Sequence, residues 1–102
     1  MTFDHPKTAD VLNWFEKISQ IPRCSKNEKA IGQWLMDWAK DNNFEARMDE
    51  VGNVVIEVPA SPGYEDSTGV IIQGHMDMVC EKTKTSTHDF SKDPIKFVYD
   101  GD

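Results

Sequence analysis

The sequence has little cysteine and no long apolar run, and each absence excludes a class of protein. Its only cysteines, Cys24 and Cys80, lack the spacing of a metal finger, so we expect two ordinary thiols in a reducing compartment. Residues 1–10 are polar, which excludes a secretory signal, and no apolar run reaches membrane-spanning length. We therefore expect a soluble, cytoplasmic protein.

Positive charge is also scarce. The chain carries 18 acidic and 11 basic side chains, which gives a net charge of −7. Such a surface repels phosphate backbones and anionic lipid, so we expect neither nucleic acid nor a membrane as a partner. With 102 residues the chain forms at most one domain, and a domain of this size buries only a modest core.

The first apolar period of the chain has helical spacing. Thr8 can cap a helix that follows Pro6, and Pro22 prevents this helix from continuing past about Gln20 because proline disfavours helical geometry in the preceding residue. The apolar stripe of this helix consists of Val11, Leu12, Phe15 and Ile18.

A second helix is predicted from a capping box. Ser25 can accept a hydrogen bond from the amide of Glu28, and the Glu28 side chain can reach back to Ser25. Asn42 and Asn43 can adopt the left-handed conformation that ends many helices. The predicted buried face consists of Ile31, Leu35, Trp38 and Ala39.

Strands follow, because the apolar period changes to two. Residues 44–48 and 54–58 alternate apolar and polar side chains around a Gly52-Asn53 turn, so they predict a hairpin. Residues 59–68 form a surface loop. Alternation returns at Ile95, Phe97 and Tyr99, and Asp100-Gly101 favours another hairpin turn.

The run from Gly69 to Lys82 combines a predicted strand with candidate metal ligands. Residues 70–72 are β-branched and suit a strand that is buried on both faces. His75 and Asp77 follow and share one face of an extended backbone, near the strand end where α/β proteins bind ligands. Imidazole and carboxylate both bind zinc, so the pair suggests a metal site, although a His two residues before an Asp also arises by chance. His88, in the polar loop that follows, is expected to be solvated.

Five runs of the sequence carry a family resemblance. They are ISQIPRCSKNE at 18–28, IGQWLMDWAK at 31–40, DEVGNVVIEVPAS at 49–61, IQGHMDMVCEK at 72–82 and HDFSKDPIKF at 88–97. The chain resembles the start of the aminoacyl-histidine (Xaa-His) dipeptidases, a branch of the co-catalytic zinc peptidases that includes the carboxypeptidase G and aminoacylase types. The resemblance implies that residues 1–102 are the incomplete N-terminal segment of an α/β catalytic domain, with two helices followed by a truncated, mixed β-sheet.

The resemblance also implies a reaction and roles for two residues. Family members bind two zinc ions, which cobalt or manganese can replace, and hydrolyse short peptides that carry a C-terminal histidine. His75 matches the first zinc-ligand histidine of the family. Asp77 matches the catalytic aspartate two residues later, which would hydrogen-bond the imidazole nitrogen that faces away from the metal.

The family's other ligands and its general-base glutamate have no match in this sequence. We therefore expect the 102-residue chain alone to be inactive, and we leave open whether the full-length protein is a homodimer. Two alternatives to an Xaa-His dipeptidase remain. One is a sibling tripeptidase or acyl-amino-acid hydrolase, and the other is a non-catalytic binding or structural module.

Overall fold

A computed structural model describes residues 5–100 of the protein. Within that range two α-helices precede a two-stranded antiparallel sheet, so the α/β class is confirmed. The elements are α1 (Pro6–Ser19), α2 (Lys29–Asp41), β1 (Glu45–Met48) and β2 (Val54–Glu57). Neither of these helices is long and apolar enough to cross a membrane.

Helix α1 ends where the sequence predicts, but its N-cap lies three residues before the predicted Thr8. His5 is its N-cap, and Nδ1 of His5 accepts a hydrogen bond from the amide of Lys7 at 3.0 Å. Pro6 can open the helix because the first turn needs no amide donor. Trp14 joins α1 to α2 through edge-to-face contacts with Trp34 and Trp38, at ring-centroid distances of 6.2 and 6.3 Å.

The predicted capping box of α2 is wrong. The helix begins only at Lys29, and Glu28 is an N-cap whose side chain makes no cap hydrogen bond. Its carboxylate instead accepts from the amide of Lys26 at 2.7 Å, in a turn where Lys26 has a positive φ of 70°. The predicted buried face is confirmed at Ile31 and Ala39, which are 3% and 0% exposed.

The predicted hairpin is confirmed. Glu45 pairs with Glu57 at one end of the antiparallel ladder, and Met48 pairs with Val54 at the other. Residues 46 and 56 are half-buried while their neighbours in the strands are more exposed, as alternation predicts. The amide of Phe44 bonds the carbonyl of Ala39 at 2.8 Å, so the hairpin starts directly from the end of α2.

Two predicted strands do not form within residues 5–100. Val70, Ile71 and Ile72 are 86%, 92% and 96% exposed, so the prediction of a buried strand there is wrong for the described structure. Residues 95–99 also lack strand pairing, although the amide of Ile95 bonds the carbonyl of Ser19 at 2.9 Å. A strand requires neighbours to pair with, and the described segments do not supply them. The predicted Asp100-Gly101 turn lies outside the described residues.

The two cysteines are bonded to each other, so the prediction of ordinary thiols is wrong. Cys24 and Cys80 form a disulfide with their Cα atoms 5.5 Å apart. A parallel backbone pairing of Cys24 with Met78 brings the two segments together at this distance. The low cysteine count therefore gives no argument for a reducing compartment.

Candidate active site

His75 and Asp77 are in contact, as their spacing of two residues predicts. Nδ1 of His75 lies 2.8 Å from Oδ1 of Asp77. The His75 side chain is 81% exposed and that of Asp77 is 31% exposed. The carboxylate thus holds one ring nitrogen and leaves the other, Nε2, open to a ligand.

Ser25 joins this pair from a distant part of the sequence. Its hydroxyl donates to Oδ2 of Asp77 at 2.5 Å, so the two oxygens of the carboxylate have different partners. The hydrogen bonds from Ser25 first, and from His75 second, hold the pKa of Asp77 below its ordinary value of 3.8. Asp77 is therefore a carboxylate at neutral pH. The sequence assigns Ser25 only to a helix cap and therefore does not predict this contact.

The backbone explains how Ser25 reaches Asp77. The amide of Met78 donates to the carbonyl of Arg23 at 2.9 Å, and the amide of Ser25 donates to the carbonyl of Met78 at 3.2 Å. The Cys24–Cys80 disulfide crosslinks the same two segments. A pairing of the two cysteines is the one sequence signal that could have placed Ser25 beside Asp77.

The pair opens onto a groove of about 780 Å3 between α2, the hairpin turn and residues 72–77. Glu28 and Leu35 line one side of the groove, and Gly52 lies on the hairpin side. The groove is large enough for a small peptide, and Glu28, His75 and Asp77 are among the polar residues that line it.

Within residues 5–100 no three His, Cys, Asp or Glu side chains are grouped so as to hold a metal ion. His75 fits a metal as a single ligand, because its Nδ1 is engaged by a carboxylate and its other nitrogen is exposed. The described residues therefore supply one ligand and its orienting acid, not a complete site.

His88 is not the solvated loop residue that the sequence predicts. Its ring packs edge-on against Phe90 at 4.6 Å, and the imidazole Nε2 is buried with no hydrogen-bond partner in the described residues. His88 lines a different groove, together with Met78 and Lys82, and is not part of the lining of the His75 groove. The structure thus does not bring the two histidines into one site.

The chain is similar to parts of several known proteins. No family model matches the sequence. The crystal structure of an aminoacylhistidine dipeptidase from Vibrio alginolyticus superposes with a TM-score of 0.83 and 45% identity, over 87% of this chain and 18% of that one. The "Cytosol non-specific dipeptidase" of Escherichia coli (strain K12) is 41% identical over 88 residues, which are 86% of this chain and 18% of its own length. A "Probable carboxypeptidase" of Arthroderma otae is 28% identical over 83 residues, which are 71% of this chain and 18% of its own length.

These relatives are named peptidases, and the chain is similar to one part of each of them. The two at 41% and 45% identity are dipeptidases, and the chain is a homologue of part of those enzymes, which confirms the resemblance carried by the sequence motifs. The chain spans about a fifth of the length of the relatives it matches.

Proposed function

We propose that this chain is the segment of a zinc-dependent dipeptidase that carries its first metal-ligand histidine. The observation that supports the proposal is the hydrogen bond of 2.8 Å between His75 and Asp77, at the edge of an open groove. The substrates are short peptides with a C-terminal histidine, as in the aminoacylhistidine dipeptidase that the chain resembles.

Two features of the described residues support the proposal that the chain is part of a larger domain. Their radius of gyration is 16.8 Å, whereas a compact domain of this length has a radius of about 13 Å. The apolar run at residues 70–72 is almost fully exposed, as expected for a strand whose partners lie in another part of a larger protein. The 102-residue chain alone is therefore inactive, and the remaining ligands come from the rest of the enzyme.

His75 would hold a zinc ion through Nε2, and zinc, or cobalt or manganese in its place, supplies an activated water and polarises the scissile carbonyl. Asp77 does not need to touch the metal in this arrangement. Its carboxylate keeps a proton on Nδ1 of His75, which leaves a lone pair on Nε2 and makes the imidazole a better ligand.

A substrate panel on the full-length protein tests this function. We expect zinc-dependent cleavage of dipeptides with a C-terminal histidine, and no cleavage of tripeptides or acylated amino acids. The 102-residue chain assayed alone is the control, and we expect it to release no amino acid. Cleavage of tripeptides or acylated amino acids would instead identify a sibling tripeptidase or acyl-amino-acid hydrolase. Absence of all hydrolysis would favour a non-catalytic module.

A broader dipeptidase is the second candidate, because the Escherichia coli relative is named a non-specific dipeptidase. The same panel distinguishes the two, since a broad enzyme would cleave dipeptides with other C-terminal residues at comparable rates.

The name of that relative also supports a cytosolic location, whereas the Cys24–Cys80 disulfide is more typical of an oxidising compartment.

A further inference from the structure

We propose that Ser25 is a positioning residue that fixes the Asp77 carboxylate, and through it the ring of His75, in the orientation a metal requires. The inference rests on the proposed function, because it assigns Ser25 a role at that same site. Its basis is a continuous chain of contacts, in which the Ser25 hydroxyl bonds one carboxylate oxygen and His75 bonds the other.

Packing cannot orient His75, since 81% of its side chain is exposed. The single contact with Asp77 would not suffice either, because the terminal torsion of an aspartate is broad and the carboxylate could turn with the ring. A second hydrogen bond at the opposite oxygen removes that freedom. Ser25 makes this bond at 2.5 Å.

Ser25 is itself held in place by a separate part of the chain. Fifty-two residues separate it from Asp77 in sequence, and its amide donates to the carbonyl of Met78. The residue before it, Cys24, is crosslinked to Cys80 by the disulfide. The hydroxyl therefore reaches the carboxylate from a fixed backbone, not from the mobile end of a long side chain.

The direction of each hydrogen bond determines which nitrogen of the His75 ring carries the proton. The hydroxyl is the donor to a carboxylate, which has no proton of its own to give at neutral pH. The other oxygen then accepts from His75, so the ring proton resides on Nδ1 and Nε2 carries the lone pair. Loss of the Ser25 hydroxyl would let both groups turn, and the preference for this tautomer would weaken.

The test is 15N NMR of the His75 ring in the metal-free 102-residue chain, at a pH where the imidazole is neutral. We expect the wild type and Ser25→Thr to show predominantly the Nδ1-protonated tautomer, and Ser25→Ala to shift clearly toward the opposite tautomer. Ser91→Ala is the matched control, because Ser91 donates to Asp89 at 2.6 Å in the same way, and it should leave the His75 signals unchanged. Identical ring signals in the wild type and Ser25→Ala would overturn the proposal.

Kinetics of the full-length enzyme give a second readout. Ser25→Ala should lower kcat about tenfold with little change in KM, the lower end of what loss of a partner behind a metal ligand costs, and Ser25→Thr should restore most of it. Unchanged kcat in Ser25→Ala would contradict the positioning role. Absence of hydrolysis in the wild type would refute the proposed function instead, and the ring signals would still decide the role of Ser25.

Discussion

In two turns of this protein a single carboxylate accepts several hydrogen bonds. In the hairpin turn, one oxygen of Asp49 accepts from the amides of Val51 and Asn53 at 3.0 and 2.8 Å, and the other accepts from the side chain of Asn53 at 2.8 Å. Gly52 completes the turn with a φ of 96°, which glycine adopts without strain. Asp89 accepts in the same manner from the amide and hydroxyl of Ser91.

The role of Asp49 in the hairpin turn can be tested through its pKa. The side chain of Asn53 is the largest cause that holds the pKa of Asp49 below its ordinary value of 3.8, so Asn53→Ala should raise that pKa toward 3.8. Because the folded-state pKa is the lower one, the stabilisation is fully present above pH 3.8 and is lost as the pH falls through the folded value. The turn should therefore loosen at a higher pH in the variant.

Carbon-13 titration of the side-chain carboxyls measures this shift residue by residue. Asp89 is the internal control, because its lowered pKa depends first on Ser91 and should not respond to Asn53→Ala. An Asp49 pKa that stays the same in the variant would show that Asn53 does not stabilise the charged carboxylate.

Sequence reasoning predicts two of the three residues of the candidate site, for a physical reason. His75 and Asp77 are two residues apart, so a local rule about extended backbone places them together. Ser25 could not be found this way, since its contact with Asp77 spans 52 residues and a local capping pattern offered it another partner. The positive φ of Lys26 breaks that pattern and delays the start of α2.

Among the elements, those with local periodicity could be predicted and those that depend on distant partners could not. The two helices and the hairpin each contain their own hydrogen-bond partners, so their spacing of apolar residues is sufficient. Residues 70–72 and 95–99 have equally clear strand patterns, yet a strand forms only beside another strand. Pattern alone does not show whether that neighbour is present.

The disulfide is the strongest link between elements that are far apart in sequence. It closes a loop with a sequence separation of 56 residues, and loop-closure entropy predicts about 4 kcal/mol of stabilisation for a loop of this length. Reduction should therefore lower the denaturant midpoint of the 102-residue chain and release the Ser25 segment from Met78. Denaturation followed by circular dichroism with and without reductant measures the difference.

A double variant, Cys24→Ser with Cys80→Ser, provides the control for reduction. Its midpoint should match that of the reduced wild type and should not respond to reductant. An equal midpoint for the oxidised and reduced wild type would mean that the disulfide does not constrain the unfolded chain in solution.

At the scale of the whole molecule, residues 5–100 are more open than a compact domain of their length. Their extents are 55 × 41 × 22 Å, and the buried apolar side chains among them are Ile31 and Ala39. Aromatic contacts between α1, α2 and the hairpin give the described part a small core of its own. We expect the remaining apolar surface to be covered by the rest of the proposed enzyme, which also completes the metal site.

The most direct test of the central claim is hydrolysis by the full-length protein after replacement of His75. The account predicts that His75→Ala lowers the rate of dipeptide cleavage by more than about 100-fold, because a metal ligand is lost. His88→Ala is the matched control and should retain activity, since His88 does not line the groove that holds His75. Undiminished cleavage by His75→Ala in metal-depleted buffer would contradict the account.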